Sequence, residues 1–349
     1  MSARRATIAD VAREAGVSPS TASVVFSGKT QVTDATRQRV LAAASALGYT
    51  GPDPRAASLR RGRSGIIGVV LGGRLRSAFL DPVTTVVLDG ISEGIAPLDA
   101  AILLLRDDAT ETGPSLMTAP IDGAVLLGCS AHMRSSLDDV RGRGIPVVVI
   151  EGDAGEGVPQ IGLDNEAAQR HIAEYTKGLG HERVVHVTMA FDASTRAGWA
   201  PSVDLDAITV DVTRDRLRGA LEVYPDAPIY HATGSLIDEG YAAGQAILAL
   251  DPRPTAAIAQ TDLLAVGIVR AALDAGVRVP EDFSVTGFDG IRADGIAPHR
   301  LTTMAQPAAD KGRAAGEVLA ALIQGTPTSG VDFASRFREG NTTGPAPQA

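Results

Sequence analysis

The sequence predicts an α/β fold in which a small all-helical head precedes a larger body of parallel sheets. Three observations carry this. Apolar residues make up 44% of the chain and aromatics only 4%, a balance that suits helices packed on parallel strands. From residue 66 onward, short apolar runs alternate with amphipathic stretches of helical period, the pattern of repeated βα units. The first 65 residues hold three short helical patterns instead, and 349 residues leave room for such a module plus a two-lobed unit.

In the head, Ile8, Val11, Ala12 and Ala15 stand at helical spacing, with Thr7 placed to cap the first turn. Gly16 permits a sharp turn. Ser18 and Pro19 form an N-cap and first-position pair, so a second helix starts there. It should bury Ala22, Val25 and Phe26 and turn Ser20, Thr21, Ser23 and Val24 outward. Thr33 can cap a third helix with Val40, Leu41, Ala44 and Leu47 as its expected core stripe and Gly48 as its stop. Two helices joined by a turn of three or four residues form the helix-turn-helix geometry that sets a second helix into a DNA major groove. A plain three-helix packing bundle would give the same pattern.

Residues 50–64 read TGPDPRAASLRRGRS. Asp53 can cap a short helix from about Pro54 to Arg60 that exposes Leu59, with Arg60, Arg61 and Arg63 at and after its end. A helix of that length forms mainly when packed on something else. It reads either as a cationic linker or as a minor-groove element in which an apolar side chain wedges between base steps.

Charge separates the two parts. The chain carries a net −9, but residues 1–65 contain ten Lys/Arg against four acids, a net +6 that leaves −15 for the rest. A cationic head on an acidic body is expected where only the head meets phosphate. Cys129 is the only cysteine, so no intrachain disulfide is possible. The N-terminus lacks a signal-like apolar stretch and no run reaches 18 apolar residues, so a cytoplasmic location and no membrane partner are expected.

In the body, strands are predicted at 66–71, 101–105, 123–128, 145–151, 183–189, 228–232, 256–260 and 283–288. Helices are predicted at 82–96, 132–142, 165–179, 235–250, 261–275 and 307–324. Two sets of strands imply two lobes, and ligands in such folds sit at the carboxyl ends of strands. Polar or turn residues gather there: Phe79 and Asp81 after the first strand, Glu151 after the fourth, then Thr261–Asp262 and Asp289. Taken singly, each reads equally well as a cap or turn residue.

An enzyme with a fused helical head would need a catalytic set. Cys129 with His132, or an acid pair from Asp164, Asp262 and Asp289, are the available groups. No third group orients the first pair, and a lone cysteine ending an apolar strand reads as core. The six histidines lack metal-ligand spacing, His181 reads as a loop residue, and no phosphate loop of Walker type is present. No catalytic residue, metal or cofactor is expected.

The sequence resembles the lactose-repressor (LacI/GalR) family over nearly its whole length. The resemblance is carried by TIADVAREAGVSPSTAS (7–23), VTDATRQRVLAAASALGY (32–49), AASLRRGR (56–63) before IIGVV (66–70), GIPVVVIE (144–151), GLDNEAAQRHIAEYTKGLGHERVVHV (162–187), TDLLAVGIVRAALDAGVRVPEDFSVTGFD (261–289) and LTTMAQPAADKGRAAGEVL (301–319). It implies a helix-turn-helix domain (1–50), a hinge helix and linker (51–64), and a two-lobed, periplasmic-binding-protein-like effector and dimerisation domain (65–340). A tail (341–349) without fixed structure is expected.

By that resemblance Thr7 sets a helix N-terminus at a phosphate, Pro19, Ser20 and Val24 fall at base-reading positions, and Thr21 and Ser23 support the backbone contact. Ala56 and Leu59 enter the minor groove, with Arg60 beside them. Phe79, Asp81, Glu151, Arg216, Thr261 and Asp289 line an effector cleft suited to a sugar or nucleoside. The chain departs from the family pattern at Val24, where a long polar or basic residue is usual, at Ala57, where Arg is frequent, and at Thr261, where Asn is common. The 190–213 segment lacks a clean family pattern, which leaves Arg196 as an alternative to Arg216. The function implied is a homodimeric transcription regulator, a repressor, that binds a palindromic double-stranded DNA operator under control of a small-molecule effector. A ligand-independent DNA-binding scaffold is the other reading.

Overall fold

The computed structural model describes residues 6–27, 32–51, 62–73, 75–107, 116–193 and 196–348. The chain divides into two units, Met1–Gly65 and Ile66–Ala349. The hinge positions Ala56, Leu59 and Arg60 lie outside the described residues.

The first unit holds α1 (Ile8–Ala15), α2 (Pro19–Ser27) and α3 (Asp34–Ala46). A reciprocal capping box starts α1: Asp10 N donates to Thr7 Oγ1 at 3.3 Å, and Thr7 N donates back to Asp10 Oδ2 at 3.0 Å. Gly16 closes the helix in the left-handed region at φ 64°. Val11, Ala12, Ala15, Ala22, Val25, Val40, Ala43 and Ala44 form one small core, and Phe26 meets Tyr49 edge-on at 5.3 Å between ring centroids. The stripe of α3 differs from expectation. Leu41 and Leu47 are exposed, and Ala43 is buried in their place. Val40, Ala43 and Ala44 already define the buried face at i, i+3, i+4, and position 41 lies about 100° round the helix from Val40.

The second unit runs β1 (Ile66–Leu71), α4 (Leu75–Leu80), α5 (Pro82–Gly94), β2 (Ala101–Arg106), β3 (Gly123–Leu127), α6 (Met133–Gly142), β4 (Val147–Ile150) and β5 (Gln160–Leu163). It continues with α7 (Asn165–Gly178), β6 (Val184–Thr188), β7 (Gly198–Ala200), α8 (Asp211–Val223), β8 (Ile229–His231), α9 (Ile237–Leu248), β9 (Ala256–Ala259), α10 (Asp262–Asp274), β10 (Ser284–Asp289) and β11 (Thr302–Ala305). Last come α11 (Ala308–Ile323), β12 (Val331–Phe333) and β13 (Arg336–Arg338).

One sheet has the order β12-β5-β4-β3-β1-β2 and is parallel throughout. The other has the order β13-β11-β10-β9-β6-β8-β7, parallel except for its antiparallel edges β13 and β7. Each sheet is the centre of a lobe. The chain crosses between lobes three times: after β5, between β11 and β12, and between β12 and β13. Asp164 ties the first and third crossings together by accepting from Ser335 N at 2.8 Å and Ser335 Oγ at 2.7 Å.

The strand cores are continuous apolar runs: Ile67, Val69, Leu71, Val125 and Val148 in the first lobe, Val185, Val187, Ala257, Ala259 and Val285 in the second. Helix pairs close on them through glycine. A Cβ on Gly90 of α5 would stand 2.2 Å from the Ala309 carbonyl oxygen of α11, and one on Gly240 of α9 would stand 2.2 Å from that of Leu264 of α10. These contacts bring backbones together where any side chain would hold them apart.

The 341–348 stretch departs from the expected loose tail. Thr342 is buried, accepts from Val285 N through its carbonyl at 2.8 Å and donates through Oγ1 to Val285 O at 2.7 Å, while Ala346 N donates to Leu179 O at 2.9 Å. Its Gly/Pro composition removes regular secondary structure but leaves the carbonyls and the non-proline N–H groups able to hydrogen-bond. Among the described residues no helix is long and apolar enough to cross a membrane.

Candidate functional site

In the head, the residues expected to meet DNA lie on α1 and α2. Thr7 is exposed at the N-terminus of α1, and Pro19 and Ser20 are exposed at the start of α2. Thr21, Ser23 and Val24 are half-buried. Ser18 organises that turn: its Oγ accepts from Thr21 N at 3.1 Å and lies 2.8 Å from both the Ser20 and Thr21 hydroxyls.

In the body, the carboxyl ends of both sheets face a cavity of about 520 Å³. Its wall includes Asp81, Glu151, Arg216, Thr261 and Asp289, five of the six residues singled out from sequence. Phe79 does not join them. It sits in α4 rather than in a loop, 59% exposed, while its neighbour Ala78 turns inward to the wall; the helical rotation between consecutive residues separates the two. Arg196 is exposed and outside the wall, whereas Arg216 reaches it from α8 with only 3% of its side chain accessible.

Two wall residues are also caps. Asp81 accepts from Val83 N at 3.0 Å and Thr84 Oγ1 at 2.7 Å at the start of α5, and Thr261 Oγ1 accepts from Leu264 N at 3.3 Å at the start of α10. Capping and wall formation coincide because the strand-to-helix turn is where both happen. Glu151 and Asp289 follow β4 and end β10 with φ of 55° and 117°. Both conformations are sparsely populated by residues with a side chain, and strain of this kind is held in place only by strong surrounding contacts.

Those contacts form a closed ring. Asn165 Nδ2 donates to Glu151 Oε2 at 2.8 Å, and Arg216 Nε donates to Asn165 Oδ1 at 2.8 Å. Arg216 Nη1 donates to Asp289 Oδ1 at 3.5 Å, and Gln306 Nε2 donates to the same oxygen at 2.7 Å. Lys311 Nζ donates to Gln306 Oε1 and to Glu151 Oε1, closing the circuit. The ring joins the first lobe (Glu151 and Lys311) to the second (Arg216 and Asp289), with Asn165 and Gln306 beside two of the crossings. Arg216 is further fixed by donating to Gln260 O at 2.6 Å and by lying 3.6 Å from the Phe288 ring centroid.

The ring sets the local proton affinities. Burial pushes the Glu151 carboxyl up, but Lys311 and Arg216 beside it outweigh that and hold it below its ordinary value. Asp289 goes the other way: burial, reinforced by Asp81 and Glu151 and only partly offset by Arg216, raises it to about 7. Asp262, buried behind it and accepting from Ile291 N at 2.8 Å, is also raised by burial and by Asp289.

Sequence reasoning missed Lys311, Gln306, Asn165 and Gln260. One signal was available: Lys311 stands on the buried stripe of α11 with Ala315 and Val318, and a lysine there needs an anionic partner. Cys129 also departs from expectation. Its side chain opens onto the cavity wall with His132 instead of packing in the core. Enclosure by the cleft walls and the neighbouring Asp81, Glu151 and Asp107 push the thiol up to about 12, so it is mostly protonated at neutral pH. Asp164 serves the crossings through Ser335. No group of three or more His, Cys, Asp or Glu converges as a metal set among the described residues.

The comparisons with known proteins agree with this layout. Residues 7–51 match bacterial regulatory proteins of the lacI family, and residues 173–332 match a periplasmic binding protein-like domain. The chain is 34% identical to the HTH-type transcriptional regulator Rv3575c of Mycobacterium tuberculosis, over 90% of each protein. A transcriptional regulator of the same family from Corynebacterium glutamicum superposes with a TM-score of 0.71 at 27% identity, over 97% of this chain and 99% of the other. A lac repressor dimer bound to operator and the anti-inducer ONPF superposes with a TM-score of 0.75 at 20% identity, over 98% of this chain and 100% of that one.

Proposed function

Because this chain belongs to the LacI family of transcriptional regulators, we propose that it is a homodimeric cytoplasmic repressor whose operator affinity is set by a small hydroxyl-rich effector, a sugar or nucleoside, in the cavity of its body. The observation that carries the effector half is the six-membered ring of Glu151, Asn165, Arg216, Asp289, Gln306 and Lys311, which joins both lobes at the cavity wall. A ligand that engages Arg216 or Asp289 changes the contacts that hold the lobes. That is a differential interaction able to bias two lobe arrangements, with a coupling of about 1–3 kcal/mol in typical cases.

For the DNA half, two heads related by a two-fold axis meet a palindromic operator. Thr7 sets a helix N-terminus at phosphate, Pro19, Ser20 and Val24 face base edges with Thr21 and Ser23 in support, and Ala56, Leu59 and Arg60 reach the minor groove. Val24 offers an apolar contact suited to a thymine methyl group in place of a bidentate guanine contact.

Selection of bound sequences from a random double-stranded DNA pool tests the reading. Enrichment of a palindrome is expected, with log affinity falling steeply as log salt rises because of the +6 head. Adding a panel of sugars and nucleosides should shift affinity for that palindrome. Absence of an enriched sequence would overturn the DNA half, and a ligand that raises the melting temperature without moving DNA affinity would overturn the coupling. Leu59→Ala should weaken operator binding and spare ligand-induced stabilisation.

A further inference from the structure

The charged lining of the cavity is lopsided. Among the described residues it carries two cationic side chains, Arg216 and Lys311, and six carboxyl groups. Both cations are committed within the ring: Arg216 to Asn165, Gln260 O and Asp289, Lys311 to Glu151 and Gln306. The ring sets these two cations against two carboxyl groups, Glu151 and Asp289. The other four carboxyl groups, Asp81, Asp107, Asp192 and Glu239, stand on the wall outside it. Asp81 and Asp107 are held on the first-lobe side, Asp81 by its helix cap and Asp107 by Ser130 Oγ and Gly73 N. Glu239 accepts from Thr233 Oγ1 on the second-lobe side. Among the described residues, the two wall cations that could meet a phosphate are thus already taken, and carboxyl oxygens flank the space from both lobes.

From this we infer that the cavity is charge-selective: it admits hydroxyl-rich ligands that are neutral or carry an amine and excludes those bearing phosphate or carboxylate. The inference deepens the effector reading above and rests on it for the word ligand, but the charge selection can be read separately. A cleft lined by one sign of charge within low-dielectric walls focuses potential onto whatever enters. An anion would meet the carboxyl groups of Asp81, Asp107 and Glu239, and among the described residues it would have to break the ring to find a cation.

Cys129, on the wall and the only cysteine in the chain, is the built-in reporter. The full-length protein is treated with a cationic reagent, trimethylammonium-ethyl methanethiosulfonate, and with an anionic one, sulfonatoethyl methanethiosulfonate. In each case the cysteine thiolate attacks the sulfenyl sulfur, a disulfide forms and methanesulfinate leaves. Each rate is divided by that with free 2-mercaptoethanol. Both reagents draw on the same thiolate population, so thiol acidity cancels in the ratio.

The cationic reagent should be favoured by about tenfold or more at low ionic strength. The preference should collapse toward unity at about 1 M salt and in the Asp81→Asn/Asp107→Asn double variant, in which the amide oxygen introduced at the first position can still cap α5. A normalised ratio at or below unity in the wild-type protein overturns the inference, and the wild-type salt series decides the matter if the double variant does not fold.

A second arm compares glucose, glucosamine and glucose 6-phosphate by thermal shift. A larger stabilisation by the phosphate ester than by the two other sugars also overturns the inference. Failure of the whole sugar and nucleoside panel, with the reagent preference intact, counts against the effector reading and leaves the charge selection standing.

Discussion

Arg216 lies 3.6 Å from the centroid of the Phe288 ring, one residue before Asp289, to which its guanidinium donates at 3.5 Å. The ring therefore sets the plane of the fork and the carboxylate its direction. Replacing Arg216 by Leu removes the only cation facing Asp289 in the ring and one of two near Glu151. Loss of one partner from a buried pair costs about 3–5 kcal/mol. Urea denaturation of Arg216→Leu should show a markedly lower midpoint, and effector-induced stabilisation should vanish; an unchanged midpoint would mean the network carries no strength.

The raised Asp289 carboxyl makes stability depend on pH in an uncommon direction for an acid. In the folded chain the group holds its proton up to about 7, whereas unfolded it releases it near 3.9. Between those values the folded state binds more protons, so this group's contribution is full below the unfolded pKa and is lost as pH rises through about 7. Asp289→Asn should therefore gain in melting temperature relative to wild type as pH is raised from 5 to 8. A difference independent of pH would refute the assignment.

Glu151 has the opposite sign. Lys311 and Arg216 keep its carboxyl below the ordinary value, so its contribution is present above the unfolded pKa and lost as pH falls through the lower folded one. Lys311→Met should destabilise the protein by about 3 kcal/mol or more at pH 7, and the gap between variant and wild type should narrow in acid. Melting curves from pH 7 down to 3 measure it.

Two glycine substitutions should part company. Gly178→Ala, exposed at the end of α7 with nothing within 4 Å of a new methyl group, should stabilise by about 0.5–1 kcal/mol through helix propensity. Gly240→Ala places that methyl 2.2 Å from Leu264 O, and the pair α9 and α10 must separate, at a cost of about 1–3 kcal/mol or more. Calorimetry on the two variants distinguishes packing from propensity.

Much of the α/β alternation was legible because parallel strands buried on both faces read as plain apolar runs, as at Ile66–Leu71 and Gly123–Leu127. What escaped did so for definite reasons. The helix Asp211–Val223 buries Asp211, Thr213 and Arg216 along with Val212, Leu217 and Ala220, so the residues that build the site erase the apolar stripe that would announce the helix. The strand Thr302–Ala305 buries two threonines, and Gln160–Leu163 is broken by Gly162. The wall positions Asp81, Glu151, Thr261 and Asp289 were accessible from their places at strand ends. Lys311, Gln306 and Asn165 become partners only once the crossings bring distant segments together, which local spacing does not encode.

The triple crossing between lobes has a consequence for biosynthesis. The first lobe takes its α11 and its edge strand β12 from residues 308–333, after the whole of the second lobe's parallel core has been made. On the ribosome, β1 to β5 emerge without the helix that covers Ile91, Val125 and Val148, and that apolar face waits while roughly 140 further residues are synthesised. At about 5–20 residues per second the interval is of the order of ten seconds. The nascent first half is therefore the form of this protein in greatest need of a chaperone, and a ribosome stalled before residue 308 would release a chain that can complete neither lobe.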